Sequence, residues 1–492
     1  MEKILLDIVN TVNTYLTDYV LILLLVGVGV FFTVRTRFVQ VRCFGEGMKQ
    51  MFGNIKLRGG KNGKLSSFQA LATAIAAQVG TGNVVGACGA IFVGGPGAIF
   101  WMWVIAFLGM ATIYAEATLA QKTRKTEKDG TVVGGPVYYI REAFRGRFGK
   151  LLAAFFAVAA TLALGFMGAM VQSNSIASNF ANAFSQFTKT PEAAQTVKLV
   201  TGIAVGVIVA AIAAFILLGG VKRLASVAEK IVPVMASLYL VGGLLVLAVN
   251  VTAIPETFAM IFKYAFVPNA LIGGGVGYAL KLAISQGAKR GLFSNEAGMG
   301  STPHSHALAE VETPHKQGVA AMMGVFIDTF VVLTMTALVV ISALYSGEGA
   351  VITPETYGTL VEAGFSSSTM AQTAFSATFT KLFMGNAALG GIVGSLFVAL
   401  CLFFFAFSTI ISWNYYGKVN FEHLFGKRAT VVYSIVAVVF VFLGSILSND
   451  LVWALTDFFN YLMVIPNVIA LIALSGVVAS CAVKKKKIPE IK

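Results

Sequence analysis

"AAQVGTGNVVGACGAIF", Ala76 to Phe92, decides how this 492-residue chain is read. The stretch is apolar enough to lie in a membrane. Yet its middle, Gln78 to Asn83, places a glutamine, two glycines, a threonine and an asparagine together. Gly80 and Gly82 flank Thr81, and glycine lifts the side-chain restraint that keeps a backbone helical. Unwound backbone at membrane depth survives only where protein buries it or where it lines a wet cavity. There it presents carbonyl oxygens and N–H groups that have no helical partner. Close helix packing through small residues is the alternative, and it suits Gly86-Ala87-Cys88-Gly89-Ala90. Gln78 and Asn83 improve no such packing, so the segment reads as a functional break in a spanning helix. The two readings differ for Gly82→Ala. A ligand-facing glycine predicts a folded protein that binds weakly, and a packing glycine predicts lost stability.

Composition agrees with a membrane setting. The chain is 57% hydrophobic and only 12% charged, with mean hydropathy +0.81, and many runs reach the ~20 residues that cross a bilayer as a helix. The ~10-residue alternating segments of a β-barrel do not occur. The formal charge of +14 does not point to nucleic acid, because the basic residues sit in short connections between spans. Cys43, Cys88, Cys401 and Cys481 have neither paired nor metal-ligand spacing, so neither a disulfide framework nor structural zinc is expected. The first apolar run, near Tyr15 to Val34, lacks a cleavage pattern and reads as a retained span.

Eleven spans are predicted: 14–34, 68–93, 96–121, 150–184, 196–219, 225–250, 276–311, 317–345, 388–417, 429–447 and 451–482. Twenty-eight of the 36 Lys and Arg residues fall in connections on one side. The positive-inside rule then predicts an external N-terminus and a cytoplasmic C-terminus, as an odd number of spans requires. The tail Lys484–Lys487 reads as a topology anchor.

A second interrupted stretch, "RGLFSNEAGMGSTPHSH" (Arg290–His306), sets Ser294, Asn295 and Glu296 before Ala297-Gly298-Met299-Gly300. The polar loop before the next span is already supplied by Ala309–Gly318, which leaves Ser294–Gly300 within the membrane. Each break lies in the first helix of a five-span block. The predicted organisation is an extra N-terminal span and basic loop (1–67), a first repeat (68–250), an external connection (251–275), a second repeat (276–482) and a basic tail (483–492). An odd number of spans per block makes the second repeat inverted. Paired broken helices in such repeats point to a transporter's central site.

Freed N–H groups suit a carboxylate, and freed carbonyls suit a hard cation such as Na⁺. A zwitterionic amino acid with sodium satisfies both. Its amino group would find acceptors in Ser294, Asn295 or carbonyls of the second break. A third cluster, "FFFAFSTIISWNYYG" (Phe403–Gly417), sets Ser408 and Thr409 in an aromatic run, with Trp413 on the face of Thr409. These hydroxyls either bond back to their own helix or join the pocket. Phe166, in "LGFMGAMVQSNSIASNF" (Leu164–Phe180), is either a gate or core. Gln172, Ser173, Asn174 and Ser175 line an outer pathway or bond between helices. Glu116, Asp328 and Asp457 are intramembrane charges with a functional default, and Lys289 and Arg290 are candidate partners. No role is assigned to the long polar stretch from Ser346 to Asn386.

"AAQVGTGNVVG" (Ala76–Gly86), "GGPVYYI" (Gly134–Ile140), "RGLFSNEAGMGS" (Arg290–Ser301) and "FIDT" (Phe326–Thr329) together resemble the alanine or glycine:cation symporter family, over about Ser66 to Val483. The family belongs to the amino acid–polyamine–organocation superfamily. The resemblance implies an all-α membrane protein of LeuT-type 5+5 inverted-repeat fold. It also implies Na⁺-coupled uptake of alanine or glycine across a prokaryotic inner membrane, without a cofactor or an obligatory protein partner. Carried over residue by residue, it implies a substrate site of Gln78, Gly80, Thr81, Gly82, Asn83, Gly165, Phe166, Leu292, Ser294, Asn295, Met299, Thr409 and Trp413. It implies Na⁺ at Ala76, Val79, Ala406, Ser408 and Thr409. Phe166, Met299 and Trp413 would leave room for a small side chain only. Ile410 follows Thr409, and Ser408, the hydroxyl beside it, points about 100° away on an ideal helix.

Other classes fit less well. A channel would favour a continuous polar pore or a carbonyl ring. An intramembrane hydrolase would need a nucleophile–base set or metal ligands, yet HExxH and GxSxG are absent and His304, His306, His315 and His423 lie near span ends. A proton-coupled or exchanging amino-acid carrier is the nearest alternative.

Overall fold

In hydrocarbon a chain's backbone polar groups can bond only within the protein, so long apolar runs become helices. The computed structural model describes residues 2–53, 67–127, 132–188, 190–267, 275–347, 350–352, 360–361 and 364–483. The Lys484–Lys487 tail and parts of the 35–67, 251–275 and 346–386 stretches lie outside them. Among the described residues eight helices are long and apolar enough to cross a membrane: Ala98–Thr123, Gly146–Ser185, Pro191–Leu218, Gly220–Val249, Pro314–Leu344, Ala387–Phe425, Lys427–Gly444 and Asn449–Ala473. A ninth is bent by 44° between Leu71–Gln78 and Gly82–Gly94. The two remaining expected spans are also helical. One runs through Ile22–Arg35. The other is split into Gly275–Asn295 and Pro303–Leu308, and its polar break explains why it lacks an unbroken apolar window.

Two connections differ from the sequence expectation. Helix already runs over Glu2–Tyr15 before the first apolar segment. Asn13 is buried there and donates to the Ala454 carbonyl at 2.8 Å, holding this segment on Asn449–Ala473. Within the stretch left without a role, Met370–Leu382 is a helix folded back on the start of Ala387–Phe425. Gln372 fastens it, donating to the Asn179 carbonyl at 2.9 Å and the Ser395 carbonyl at 3.0 Å.

The helices that carry the breaks sit at the centre. Gly275–Asn295 packs on Ala98–Thr123 and Ala87–Gly94, and Ala387–Phe425 packs on Ser67–Gln78 and on Gly168–Ser185. Glu116, wholly buried, closes the second break from the neighbouring span. Gly298 (φ 96°) and Gly300 (φ 80°) adopt the left-handed region that glycine tolerates, which aims both N–H groups at one carboxylate. Gly298 N–H donates to Glu116 Oε2 at 3.2 Å and Gly300 N–H to Oε1 at 2.9 Å. Asn467 Nδ2 donates to the same Oε1 at 2.6 Å, and Tyr139, from the GGPVYYI motif, bonds to Asn467. Asp457 takes the cationic partners expected of it. Lys289 Nζ lies 2.8 Å from Oδ2, and Arg290 lies 3.4 Å from Oδ1 with its guanidinium over the Trp453 ring.

Glu116→Gln offers one acceptor oxygen where two backbone donors and an amide now share a charged pair. Hydrogen bonds to charged groups contribute about 1.5–3 kcal/mol, so a lowered thermal unfolding midpoint in detergent is expected. An unchanged midpoint would remove Glu116 from the support of the second break.

Candidate functional site

The first break occupies the bend after Gln78 and is followed by a wider π-helical turn, Gly82–Gly86. Two of its freed amides are engaged by side chains. Gly80 N–H donates to Asn83 Oδ1 at 2.9 Å, and Thr81 N–H donates to Gln172 Oε1 at 3.1 Å. The sequence expectation that the glycine amides face a carboxylate is therefore corrected for Gly80, whose donor is capped three residues along its own chain. Gln78 Nε2 reaches the second break and donates to the Asn295 carbonyl at 2.8 Å.

Between the two breaks stands Asp328, wholly buried in the π-helical segment Phe326–Leu333. Asn83 Nδ2 donates to its Oδ1 at 2.6 Å and to its backbone carbonyl at 3.0 Å. Ser294 Oγ lies 3.0 Å from each carboxylate oxygen, and Thr329 Oγ1 donates to Oδ2 at 2.8 Å. One carboxylate thus ties the first broken helix to the second. Among the described residues, Gln78 Oε1, Thr81 Oγ1 and Asn295 Nδ2 are buried with no hydrogen-bond partner. One is an acceptor, one an amide donor, and the hydroxyl is either.

Ser408 and Thr409 both turn to the carbonyl end of the first half-helix. Ser408 Oγ lies 3.2 Å from the Ala76 carbonyl, and Thr409 Oγ1 lies 3.1 Å from those of Ala76 and Ala77. Each also reaches back to the Phe405 carbonyl, at 2.8 and 3.2 Å. Two hydroxyls and three carbonyls, all hard oxygen donors, therefore crowd one point. Of the carbonyls expected at the ion, that of Ala76 is engaged by both hydroxyls, and those of Ala77 and Phe405 join it. Phe405 is three and four residues back from the two hydroxyls, the reach of such back-bonding. Val79 sits in the bend with its N–H on the Ile75 carbonyl at 2.7 Å.

The other expected residues divide. Leu292 and Met299 are buried beside the second break. Trp413 Nε1 donates to Glu296 at 2.6 Å, and its ring meets Phe293 edge-on at 5.6 Å. Glu296 also accepts from Ser301 and holds a left-handed φ of 58°, a strained conformation for a residue with a Cβ. Gly165 and Phe166 are not at the breaks. Phe166 stacks on Tyr433 and Phe440, with ring centroids 5.4 and 4.9 Å away, and a Cβ on Gly165 would sit 2.4 Å from the Tyr433 hydroxyl. Both residues lie in the π-helical turn Thr161–Met167, and a Cβ on the following Gly168 would meet the Trp413 ring. Of the neighbours the sequence did not assign, Gln172 and Asp328 are central. Glutamine among small residues and an acid in "FIDT" were visible, but their partners lie 91 and 245 residues away.

Two helices broken at matching positions, crossed by a hydroxyl-bearing span, define a secondary transporter of the LeuT-type fold and not an enzyme. The crystal structure of MhsT in complex with L-phenylalanine shares the fold, with TM-score 0.55 and 15% identity over 86% of this chain and 100% of that one. The sodium:alanine symporter family model matches residues 1–487, and the chain belongs to that family. The sodium/alanine symporter AgcS of Methanococcus maripaludis is 39% identical over 96% of both chains. The putative sodium/proton-dependent alanine carrier protein YrbD of Bacillus subtilis is 39% identical over 95% of this chain and 90% of its own.

A Cβ on Gly82 would lie 2.9 Å from Ser294 Cα and 3.1 Å from the Phe293 ring, so the two broken helices touch through this glycine. Gly82→Ala is expected to destabilise by about 1–3 kcal/mol, as overpacking does, with ligand binding following the folded fraction. Gly86→Ala meets only ordinary contacts, at 3.8 Å and beyond, and should melt near wild type. Thermal melts and equilibrium binding on the same preparations check this, and a fully stable Gly82→Ala protein would contradict it.

Proposed function

We propose that this chain carries a small neutral amino acid, alanine or glycine, into the cell together with Na⁺ by alternating access. The observation that carries this reading is the set of orphaned polar atoms at the two breaks. Gln78 Oε1 suits an ammonium group, while Asn295 Nδ2 and Thr81 Oγ1 suit a carboxylate. An α-amino acid presents both groups on one carbon. The oxygens at Ala76, Ala77, Phe405, Ser408 and Thr409 are the chemistry of a Na⁺ site. With the ion present, each hydroxyl would rotate its proton away and offer a lone pair. The relatives' printed names, which speak of sodium and alanine, support the same reading.

All these side chains are buried, so entry and exit need the helices to part, first on one side and then on the other. The proposed setting is a prokaryotic cell membrane with the N-terminus outside and the C-terminus cytoplasmic, the orientation that the basic connections favour. The five-span blocks 68–250 and 276–482 would be the moving repeats. One Na⁺ crossing 100 mV contributes about 2.3 kcal/mol, enough for roughly fifty-fold accumulation of a neutral substrate.

The proton-coupled reading has one observation in its favour. Among the described residues Asp328 has no cationic partner in its carboxylate cluster, and a buried acid can carry a proton across. Uptake of labelled alanine into proteoliposomes separates the two. Sodium coupling expects uptake to collapse when choline replaces Na⁺ at fixed pH. Uptake that persists and follows an imposed pH gradient would overturn it in favour of protons. Thr409→Ala should raise the Na⁺ needed for half-maximal uptake by roughly tenfold, the scale of one charge-assisted contact. An unaltered Na⁺ dependence in that variant would move the ion elsewhere.

A further inference from the structure

Away from the breaks, at the basic-loop end, three metal-ligating side chains converge. Cys43 Sγ, a Glu46 carboxylate oxygen and a His315 ring nitrogen all lie within 4.8 Å of one another, the one such group among the described residues. Cys43 and Glu46 are three residues apart at the start of the helix Phe44–Gly53, which puts them on one side. His315 begins the span Pro314–Leu344, against which that helix packs. His315 Nε2 is 3.6 Å from Glu46 Oε1, and its Nδ1 pairs with the Tyr114 hydroxyl at 2.7 Å.

We propose that Cys43, Glu46 and His315 form a three-ligand site for a thiophilic divalent cation of the zinc class. Thiolate, imidazole and carboxylate are the ligand types Zn²⁺ takes, with bonds of ~2.0–2.3 Å and water in a fourth tetrahedral position. Such bonds set ligand-to-ligand edges of roughly 3.3–3.8 Å. The His315–Glu46 separation is already such an edge, and the remaining edges close with shifts of about 1 Å or less. A ligating histidine characteristically donates its other N–H to an oxygen that fixes the ring, and Tyr114 occupies that place. With the proton on Nδ1, the Nε2 lone pair is directed to the metal.

Charge closes as well. The thiolate and the carboxylate balance the two positive charges, and the thiol proton leaves to water on binding. Arg42, next in sequence, is drawn off by the carbonyls of Ala482 at 2.9 Å and Thr36 at 3.3 Å. The Glu46 side chain is 35% exposed and opens the site to solvent, while Cys43 is buried. A bound ion would pin the helix Phe44–Gly53 to the first turn of the span Pro314–Leu344.

Co²⁺ added to the purified full-length protein is the probe. The site expects one equivalent in tetrahedral coordination, seen as visible d–d absorption with a thiolate-to-metal charge-transfer band, both abolished by Zn²⁺. Cys43→Ser should lose the charge-transfer band, and Cys481→Ser should keep it. Glu46→Gln, at a partly exposed position, should weaken Co²⁺ binding at least tenfold. Tyr114→Phe should keep the band but weaken binding about 10- to 100-fold, as loss of an orienting partner does. Each variant is checked by its melt. A folded wild type without a thiolate band, a band that survives Cys43→Ser, or affinity unmoved by Glu46→Gln would overturn the site.

Discussion

A backbone interrupted in the middle of a bilayer has to find every hydrogen-bond partner inside the protein, and the rest of this structure is arranged to supply them. At the first break the amides of Gly80 and Thr81 are taken by Asn83 and by Gln172 from the span Gly146–Ser185. At the second, those of Gly298 and Gly300 are taken by Glu116 from Ala98–Thr123. The supporting side chains need support themselves. Asn467 and Tyr139 steady Glu116, while Asn83, Ser294 and Thr329 surround Asp328. Polar residues in this apolar chain therefore form chains of dependence leading outward from the breaks.

The breaks themselves were legible because they violate their surroundings. Glycine and amide side chains inside a long apolar run have few structural explanations, and both interruptions fall within two residues of where the sequence puts them. Ser408 and Thr409 were visible for the same reason. Their convergence was not, because an ideal helix separates them by about 100°. Both nevertheless reach the Ala76 carbonyl, since a half-helix end presents several carbonyls at once and accepts donors from a wide arc.

What stayed hidden depended on distant pairing or local helix geometry. Asp328 reads as an isolated acid until the fold brings Asn83 and Ser294 to it from both broken helices. Phe166, in a run of small residues, reads as either a gate or core, and only its stacking on Tyr433 and Phe440, in the π-helical turn Thr161–Met167, puts it with the core. The helix Met370–Leu382 was illegible because threonine, serine and glutamine dilute its apolar face. Its fastening through Gln372 is a tertiary contact that no periodicity encodes.

The position of Asp328 bears on leakage. Parting the two broken helices would strip the carboxylate of Asn83 or Ser294, and a buried polar group left unpaired costs about 1–3 kcal/mol, more when charged. Under the proposed cycle a cargo that brings its own donors and acceptors offsets that loss, and an empty or half-filled site does not. The same few hydrogen bonds that hold the helices together would then slow futile turnover, and a cell carrying many copies of this chain would keep its ion gradient when no amino acid is present to be moved.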